Sequence, residues 1–465
     1  MIDVKGKGVL VMGLGLHGGG VATVKWLVKH GAKVTITDLR GRIILQPSLE
    51  KLQGLPVQYV LGKHRTADFQ KADMVVQNPG VPNDSPYLAI AKKFGARIVN
   101  EATLFFENVK SFHIIGVTGT KGKSTTSTLI HSILRLRQPK ALLAGNIRTT
   151  AMLDILDRVK PGTPVVLELS SWQLEGLFDI RTSPHIAVMT NIYEDHLNRY
   201  GSLREYIRAK ERIIAYQGER DCAVLNFDQP VLRAIGKAHA KRGKQVIWFS
   251  RKREVDGAYI QKGWVCVRDG AKGAKILPLS DARIPGDHNM ENVLASVAVA
   301  KLLHVPNAMI RKAIRRFRGV TGRLEYIGSI KGVRYYNDTT ATAPDATIAA
   351  LKALSALVSS KTKNLILIAG GLDKDLAYVE MAKEIRRNIK ALILFPGTAT
   401  AKLLSAGTGS VNVFRAQSMR AAVRIASKIS AKGDIVLLSP GAASFGLFLH
   451  EFDRGDQFVA EVKAL

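Results

Sequence analysis

The chain has 465 residues, 46% of them hydrophobic and 23% charged, which is too long for one ordinary core and typical of a globular rather than a disordered protein. Its formal net charge of +30 is spread over segments such as RLRQPK (135–140), KAHAKRGK (237–244) and RKAIRRFR (311–318). No uninterrupted apolar stretch approaches the roughly 18 residues of a spanning helix, and two isolated cysteines, Cys222 and Cys266, exclude a disulfide framework or a zinc site and fit a reducing compartment.

The opening stretch, 1–38, has the basic start and apolar run of a secretory signal. The run is only strand-length, however, meets a glycine cluster, and continues into an amphipathic helix and a second strand. It is read as folded chain, with the protein in the cytoplasm. Short β-type runs then alternate with helical segments, the mark of α/β layers. Residues 8–13 (GVLVMG), 33–37 (KVTIT) and 73–77 (DMVVQ) form the strands of a first unit. FHIIGVTG (112–119), PVVLELS (164–170) and HIAVMTNI (185–192) form a second, and NLILIAGG (364–371), ALILFPG (391–397) and DIVLLSPG (434–441) a third. Boundaries near residue 99 and at Val305–Pro306 predict domains over 1–98, 99–305 and 306–465. The stretch 245–280 reads as irregular β structure, expected as a small sheet packed on the nucleotide domain.

Gly13-Leu-Gly15-Leu-His-Gly18 follows a strand and opens a helix, and Asp38 ends the next strand. This is the dinucleotide-fold fingerprint, in which glycines make the turn and admit a pyrophosphate to unpaired helix N–H groups. Alone it suggests a dehydrogenase, but its physics recognises any pyrophosphate-bearing nucleotide. Asp38 is placed to accept from a ribose hydroxyl or a uracil N–H.

A second loop, Gly119-Thr120-Lys121-Gly122-Lys123-Ser124-Thr125, follows IIGVT and begins a helix. Its backbone N–H groups suit phosphates, Lys123 the outer phosphates, and the Ser124 hydroxyl Mg²⁺. Val117 stands where the usual P-loop has its first glycine, so this is a variant with shorter spacing, and ATP is the expected ligand. Glu168 ends a strand at the carboxyl edge where a doubly wound sheet presents ligands. His196 follows the next strand, and Lys210 lies on the helix SLREYIRAKERII. A lone lysine on a helix is nearly always a surface charge, so spacing alone does not promote Lys210. No G-x-S-x-G elbow, H-E-x-x-H helix or cysteine–histidine signature offers another chemistry. A nucleic-acid-associated ATPase is the reading that the charge would favour. No zinc-finger spacing, basic zipper or RNP-type strand accompanies that charge, and neither nucleic acid nor membrane insertion is expected.

In this order, GTKGKST (119–125), GNI (145–147), ELSSWQLE (168–175), TNIYEDHLNRY (190–200), AKERI (209–213), GDHNMENVLA (286–295), GRLE (322–325), YNDTTAT (336–342) and LLSPGAASFGLFLHEFDRGDQF (437–458) resemble the Mur ligase family over nearly the whole chain. The resemblance implies three α/β domains: a Rossmann-like one for a UDP-sugar, a central P-loop-type one for ATP, and a Rossmann-like C-terminal one for an amino acid. The GLGLHGGG start and the last motif point to members that add D-glutamate to UDP-N-acetylmuramoyl-L-alanine in peptidoglycan synthesis. A ligase of the same family using L-glutamate, L-alanine or a diamino acid is the alternative.

Residue by residue, the resemblance implies that Gly119, Thr120, Lys121, Gly122, Lys123, Ser124 and Thr125 cradle ATP, with Asn289 and Asn292 on adenine. Arg323 would reach the γ-phosphate and Asp338 would face ATP. Two Mg²⁺ sites follow, Ser124 with Glu168 and His196 with Lys210, the lysine carrying a CO₂-derived carbamate. Lys123, Glu168, His196, Lys210 and Arg323 are the catalytic set. Leu16, His17, Asp38, Arg40, Asn146, Ser170 and Gln173 would hold the UDP-sugar, and Thr342, Lys374, Ser444 and Phe445 the D-glutamate. A monomer is expected. The family's N-D-S-K-A-T-N is changed at Thr340 and Ala343, and Glu451 replaces a common aromatic, which bears on the amino-acid pocket.

Overall fold

The computed structural model describes residues 2–111, 113–194, 197–284, 286–355, 363–444 and 446–465. His196 and Phe445 lie outside the described residues. The chain forms three α/β sheets in two compact units: Met1–Asp281 with Glu291–Arg315, and Ala282–Met290 with Arg316–Leu465.

The first sheet has five parallel strands in the spatial order Val57–Leu61, Lys33–Asp38, Gly8–Met12, Met74–Gln77, Arg97–Val99. The chain leaves Gly8–Met12 toward Lys33–Asp38 and later returns on its other side at Met74–Gln77. Met12 pairs with both Thr37 and Gln77. The first glycine loop therefore lies at the topological switch point, where a crevice opens beyond the carboxyl ends of the strands.

The central sheet has nine strands. Ile114–Thr118 lies between Val165–Glu168 and Ile186–Met189, parallel to both, and every one of its residues is buried. This is the unbroken burial of a strand covered on both faces. The 245–280 segment is not a separate packed sheet. Gln245–Ser250 pairs in parallel with Cys222–Asn226, and Gly257–Gln261, Trp264–Asp269 and Lys272–Pro278 extend the same sheet outward. The last two pairings are antiparallel, as hairpin connections require, and a register shift at Val265/Cys266 made the alternation hard to read. One apolar cluster runs from Val9 and Val11 through Leu104 and Phe105 to Val165 and Leu167, so the first two sheets share a core. Both cysteines are buried, and burial pushes the Cys222 thiol up to about 12.

The third sheet runs Glu325–Ile330, Val333–Asn337, Ile435–Leu438, Leu365–Gly370, Ile389–Phe395, Asn412–Arg415. Only its first pair is antiparallel. In Leu365–Gly370, Leu365, Leu367 and Ala369 pack toward the helices Pro344–Ser355 and Val379–Asn388, while Ile366 and Ile368 pack toward Met419–Ile429 and Glu451–Lys463. The period-two alternation of a strand serves two apolar layers at once. Among the described residues, no helix is long and apolar enough to cross a membrane.

Candidate active site

In the first glycine loop, Gly13, Gly15 and Gly18 adopt φ of +85°, +66° and +92°. A Cβ on Gly20 would stand 2.1 Å from the Leu14 carbonyl oxygen, so only glycine lets the helix Gly19–Lys29 start this close to the loop that precedes it. Asp38 is buried, and its carboxylate holds the loop. Oδ2 accepts from the N–H groups of Leu14 (2.9 Å) and Gly15 (3.3 Å), and Oδ1 accepts from the N–H of Arg40 (2.9 Å). The Arg40 Nε lies 3.8 Å from Oδ1. A carboxylate has about four lone-pair sites, and here two are committed to the loop and one to the Arg40 N–H. Leu16 is half-buried and His17 exposed on the same turn. Two residues that the fingerprint does not contain complete it: Ser48 Oγ donates to the Gly15 carbonyl at 2.7 Å, and Asn78 Nδ2 donates to that of Gly13.

In the second loop, Gly119 and Gly122 have φ of +151° and +84°. Added Cβ atoms would meet Thr190 Oγ1 at 1.9 Å and Asn292 Oδ1 at 2.2 Å. The helix Lys123–Arg137 begins directly after Gly122, and the first turn of a helix offers N–H groups that have no intrahelical partner. The segment after Ile186–Met189 stitches the loop in place. The Thr120 N–H donates to the Asn191 carbonyl (2.9 Å), the Lys121 N–H to Asn191 Oδ1 (2.8 Å), and Thr190 Oγ1 to the Lys121 carbonyl (2.6 Å). Ser124 and Thr125 are buried in the first helical turn. Asn292 accepts from Thr126 Oγ1 at 3.1 Å and so packs on the loop. Asn289 is buried, with its N–H on the Gly286 carbonyl.

Lys123 Nζ donates to the carbonyls of Gly119 and Thr120, both at 3.0 Å. Lys210, on the helix Leu203–Glu211, is only 1% exposed, and its Nζ donates to the same Gly119 carbonyl at 2.9 Å. It also lies 4.6 Å over the Tyr206 ring. The lysine that spacing could not promote therefore converges with Lys123 on one oxygen. Glu168 is in register with Val117, two residues before Gly119, and is 1% exposed. Its Oε1 accepts from Asn146 Nδ2 at 3.3 Å, while its buried Oε2 has no hydrogen-bond partner among the described residues. Asn146 is exposed and its N–H also donates to the Glu168 carbonyl. Ser170 and Gln173 engage each other as the capping box of the helix Ser171–Asp179, with Ser170 Oγ on Gln173 Oε1 at 3.1 Å.

In the second unit, Asp338 follows Val333–Asn337. Its carboxylate accepts from the Leu324 N–H (3.1 Å) and Ser439 Oγ (2.8 Å), and burial pushes its pKa up to about 7 against the pull of those bonds and of Arg323 and Arg454. Arg323 is exposed. Thr342 and Lys374 are brought together, Lys374 Nζ donating to Thr342 Oγ1 at 3.0 Å. The Leu372–Ala443 bridge brings the loop of Lys374 to the turn that carries buried Ser444. Arg454 is fully buried and spent on structure, bonding Thr339 Oγ1, the Thr339 carbonyl and the Ala442 carbonyl.

Three family descriptions cover the chain in sequence: "Mur ligase MurD-like, N-terminal domain" at residues 7–100, "Mur ligase middle domain" at 117–300, and "Mur ligase, glutamate ligase domain" at 322–441. A protein of Roseiflexus sp. (strain RS-1), named UDP-N-acetylmuramoylalanine--D-glutamate ligase, is 44% identical over 468 residues, covering 98% of each chain. One of the same name from Koribacter versatilis is 39% identical over 100% of this chain and 99% of its own. This chain belongs to the Mur ligase family. Solved Mur ligases share the fold: UDP-N-acetylmuramate-alanine ligase MurC from Thermotoga maritima superposes with a TM-score of 0.62 at 20% identity, covering 98% and 99% of the two chains. MurF ligase from the same organism, in complex with ADP, gives 0.58 at 17%, covering 99% and 96%. As a Mur ligase, the chain has the three-domain α/β architecture that its three sheets display. The loop partners Thr190, Asn191 and Tyr206, whose Oη lies 3.3 Å from Thr120 Oγ1, are contacts that sequence reasoning missed. The first two stand inside a quoted motif, TNIYEDHLNRY, and only the fold shows that its leading residues pack on the second glycine loop.

Proposed function

We propose that the chain joins D-glutamate to UDP-N-acetylmuramoyl-L-alanine by an amide bond at the expense of ATP, in the cytoplasm and as a monomer. The observation that carries this reading is the convergence of Lys123 and Lys210 on the Gly119 carbonyl, with a buried Glu168 oxygen that has no hydrogen-bond partner among the described residues one strand away, in a chain whose relatives carry that name over their full length. Residues 1–98 would take the UDP-sugar, 99–305 ATP, and 306–465 the amino acid.

The alanyl carboxylate attacks the γ-phosphorus of ATP, ADP leaves, and an acyl phosphate forms. The amine of D-glutamate then attacks the acyl carbon, inorganic phosphate leaves, and the amine gives up its proton. The loop 119–125 grips the phosphates through backbone N–H groups, and Lys123 offsets the charge that builds on the transferring group. Asn289, Asn292, Arg323 and Asp338 complete the ATP set. Leu16, His17, Asp38, Arg40, Asn146, Ser170 and Gln173 serve the UDP-sugar, and Thr342, Lys374, Ser444 and Phe445 the D-glutamate.

The hard oxygen donors fit Mg²⁺. Ser124 and Glu168 would hold one ion, and His196 with a carbamate on Lys210 a second. Bound magnesium would supply electrostatic relief to the phosphoryl group. Two ammonium groups on one carbonyl repel each other, and carbamylation turns one of them into an anion.

The test is phosphate release from ATP by the purified chain with UDP-N-acetylmuramoyl-L-alanine and a panel of amino acids. D-glutamate is expected to give the fastest release. Release with L-glutamate, L-alanine or a diamino acid, and none with D-glutamate, assigns a different substrate, a possibility that the changes at Thr340, Ala343 and Glu451 keep specific.

A further inference from the structure

One arginine ties a loop of the first sheet to the elements of the central sheet. Arg199, in Leu197–Tyr200, has a side chain only 13% exposed. Its Nη1 donates to the carbonyls of Pro79 (3.2 Å) and Val81 (3.1 Å), and its Nη2 donates to Asn83 Oδ1 (3.0 Å) and Glu175 Oε2 (3.2 Å). The guanidinium carbon lies 4.9 Å over the Trp172 ring. Glu175 closes the knot: Oε2 also accepts from Asn83 Nδ2 at 2.9 Å, and Oε1 accepts from Tyr200 Oη at 2.9 Å.

The loop so held follows Met74–Gln77 at the switch point of the first sheet. Asn78, one residue before its first gripped carbonyl, donates to Gly13 of the glycine loop. The contacts thus run unbroken from Glu175 through Arg199 and the 79–83 backbone to the turn that faces a nucleotide. A planar fork of fixed donors suits this task, because it binds two carbonyls and two side chains in one geometry. A lysine is a single point of charge and does not.

We infer that Arg199 is a positioning residue for the uridine nucleotide: it touches no substrate, but it fixes the 78–83 backbone and through it the first glycine loop. This rests on the assignment of the UDP-sugar to the first domain. Substrate binding should therefore depend on Arg199 far more than ATP handling does.

The experiment compares wild type with Arg199→Ala, Arg199→Lys, Asn83→Ala and the double variant Arg199→Ala/Asn83→Ala. It measures the Kd of UDP-N-acetylmuramoyl-L-alanine by calorimetry and the KM values of that substrate and of ATP. Arg199→Ala is expected to raise the Kd and KM of the UDP-sugar at least tenfold while the KM of ATP stays within twofold. Arg199→Lys should recover little. Asn83→Ala should shift the same constant about threefold, and the double variant no further than Arg199→Ala alone. An unchanged UDP-sugar Kd in Arg199→Ala, or equal rises in both KM values, overturns the inference. If Arg199→Ala does not fold, an unchanged Kd in Asn83→Ala overturns it alone. Wild type that binds no UDP-sugar sinks the functional reading instead.

Discussion

A lysine out of water needs a partner for its charge. At Lys210 the partners are the Gly119 carbonyl and the Tyr206 ring, and Lys123 competes for the first of them. Replacing Lys210 by Ala is expected to lower kcat by about 10²-fold or more, with partial recovery in excess short-chain carboxylate, read by phosphate release. A variant as active as wild type removes the carbamate from the account. Glu168→Gln keeps the Asn146 bond but loses the anion, so its kcat should fall about 10²- to 10³-fold and its Mg²⁺ requirement should move to higher concentration. Glu101 gives a separate test of the electrostatics. It is buried, accepts from the N–H groups of Met152 (2.7 Å) and Leu153 (3.4 Å), and is pushed by burial up to about 7. A carboxyl raised in the folded state stabilises the fold below its unfolded pKa, and that contribution is lost as pH rises through about 7. Urea titrations at pH 5 and pH 8 should therefore show Glu101→Gln losing up to about 3 kcal/mol less than wild type across that interval. An equal loss in both contradicts the burial argument. Sequence pattern carried Glu168 to the sheet edge, because strand ends are local. It could not carry Lys210 inside, because only the fold brings the helix Leu203–Glu211 onto Gly119.

Among elements, the strand–loop–helix units were the most legible. Ile114–Thr118, Val165–Glu168 and Leu365–Gly370 are short apolar runs bounded by glycine or a polar edge, and they stand where the pattern placed them. Edge strands such as Val57–Leu61, with alternate residues only partly buried, and Asn412–Arg415, mostly exposed, carry too little apolar signal to be read. The 245–280 strands failed differently: their β character was visible, but which sheet they join depends on a long-range pairing with Cys222–Asn226 that no local pattern encodes. Ser170 and Gln173, assigned to the UDP-sugar by resemblance, also cap a helix, so Ser170→Ala should cost about 1 kcal/mol in unfolding free energy beside any change in KM. The second glycine loop makes the sharper prediction. Gly122→Ala puts a methyl 2.2 Å from Asn292 Oδ1 at a φ of +84°, so the KM of ATP should rise at least tenfold while the Kd of the UDP-sugar stays within twofold. Unaltered ATP kinetics would mean that this turn is not the nucleotide cradle.

Over the whole molecule, the charge of +30 acts on substrates that are themselves polyanions. A positive field raises their encounter rate and is screened over about 8–10 Å at physiological salt. The KM of the UDP-sugar should accordingly rise several-fold between 50 and 300 mM KCl, and a flat profile would leave the charge without a role in substrate capture. Three α/β units were legible from alternation alone. That the first two sheets share one apolar core, from Val9 to Leu167, was not, because helices on a common core look the same in sequence as helices on separate ones. The central claim is that a substrate carboxylate, and not water, takes the γ-phosphoryl group. It is tested most directly by giving the enzyme UDP-N-acetylmuramoyl-L-alanine labelled with ¹⁸O in its carboxylate, together with ATP and D-glutamate, and weighing the phosphate released. The account predicts phosphate carrying one ¹⁸O for each amide formed. Unlabelled phosphate, or release of AMP and pyrophosphate in its place, would contradict it.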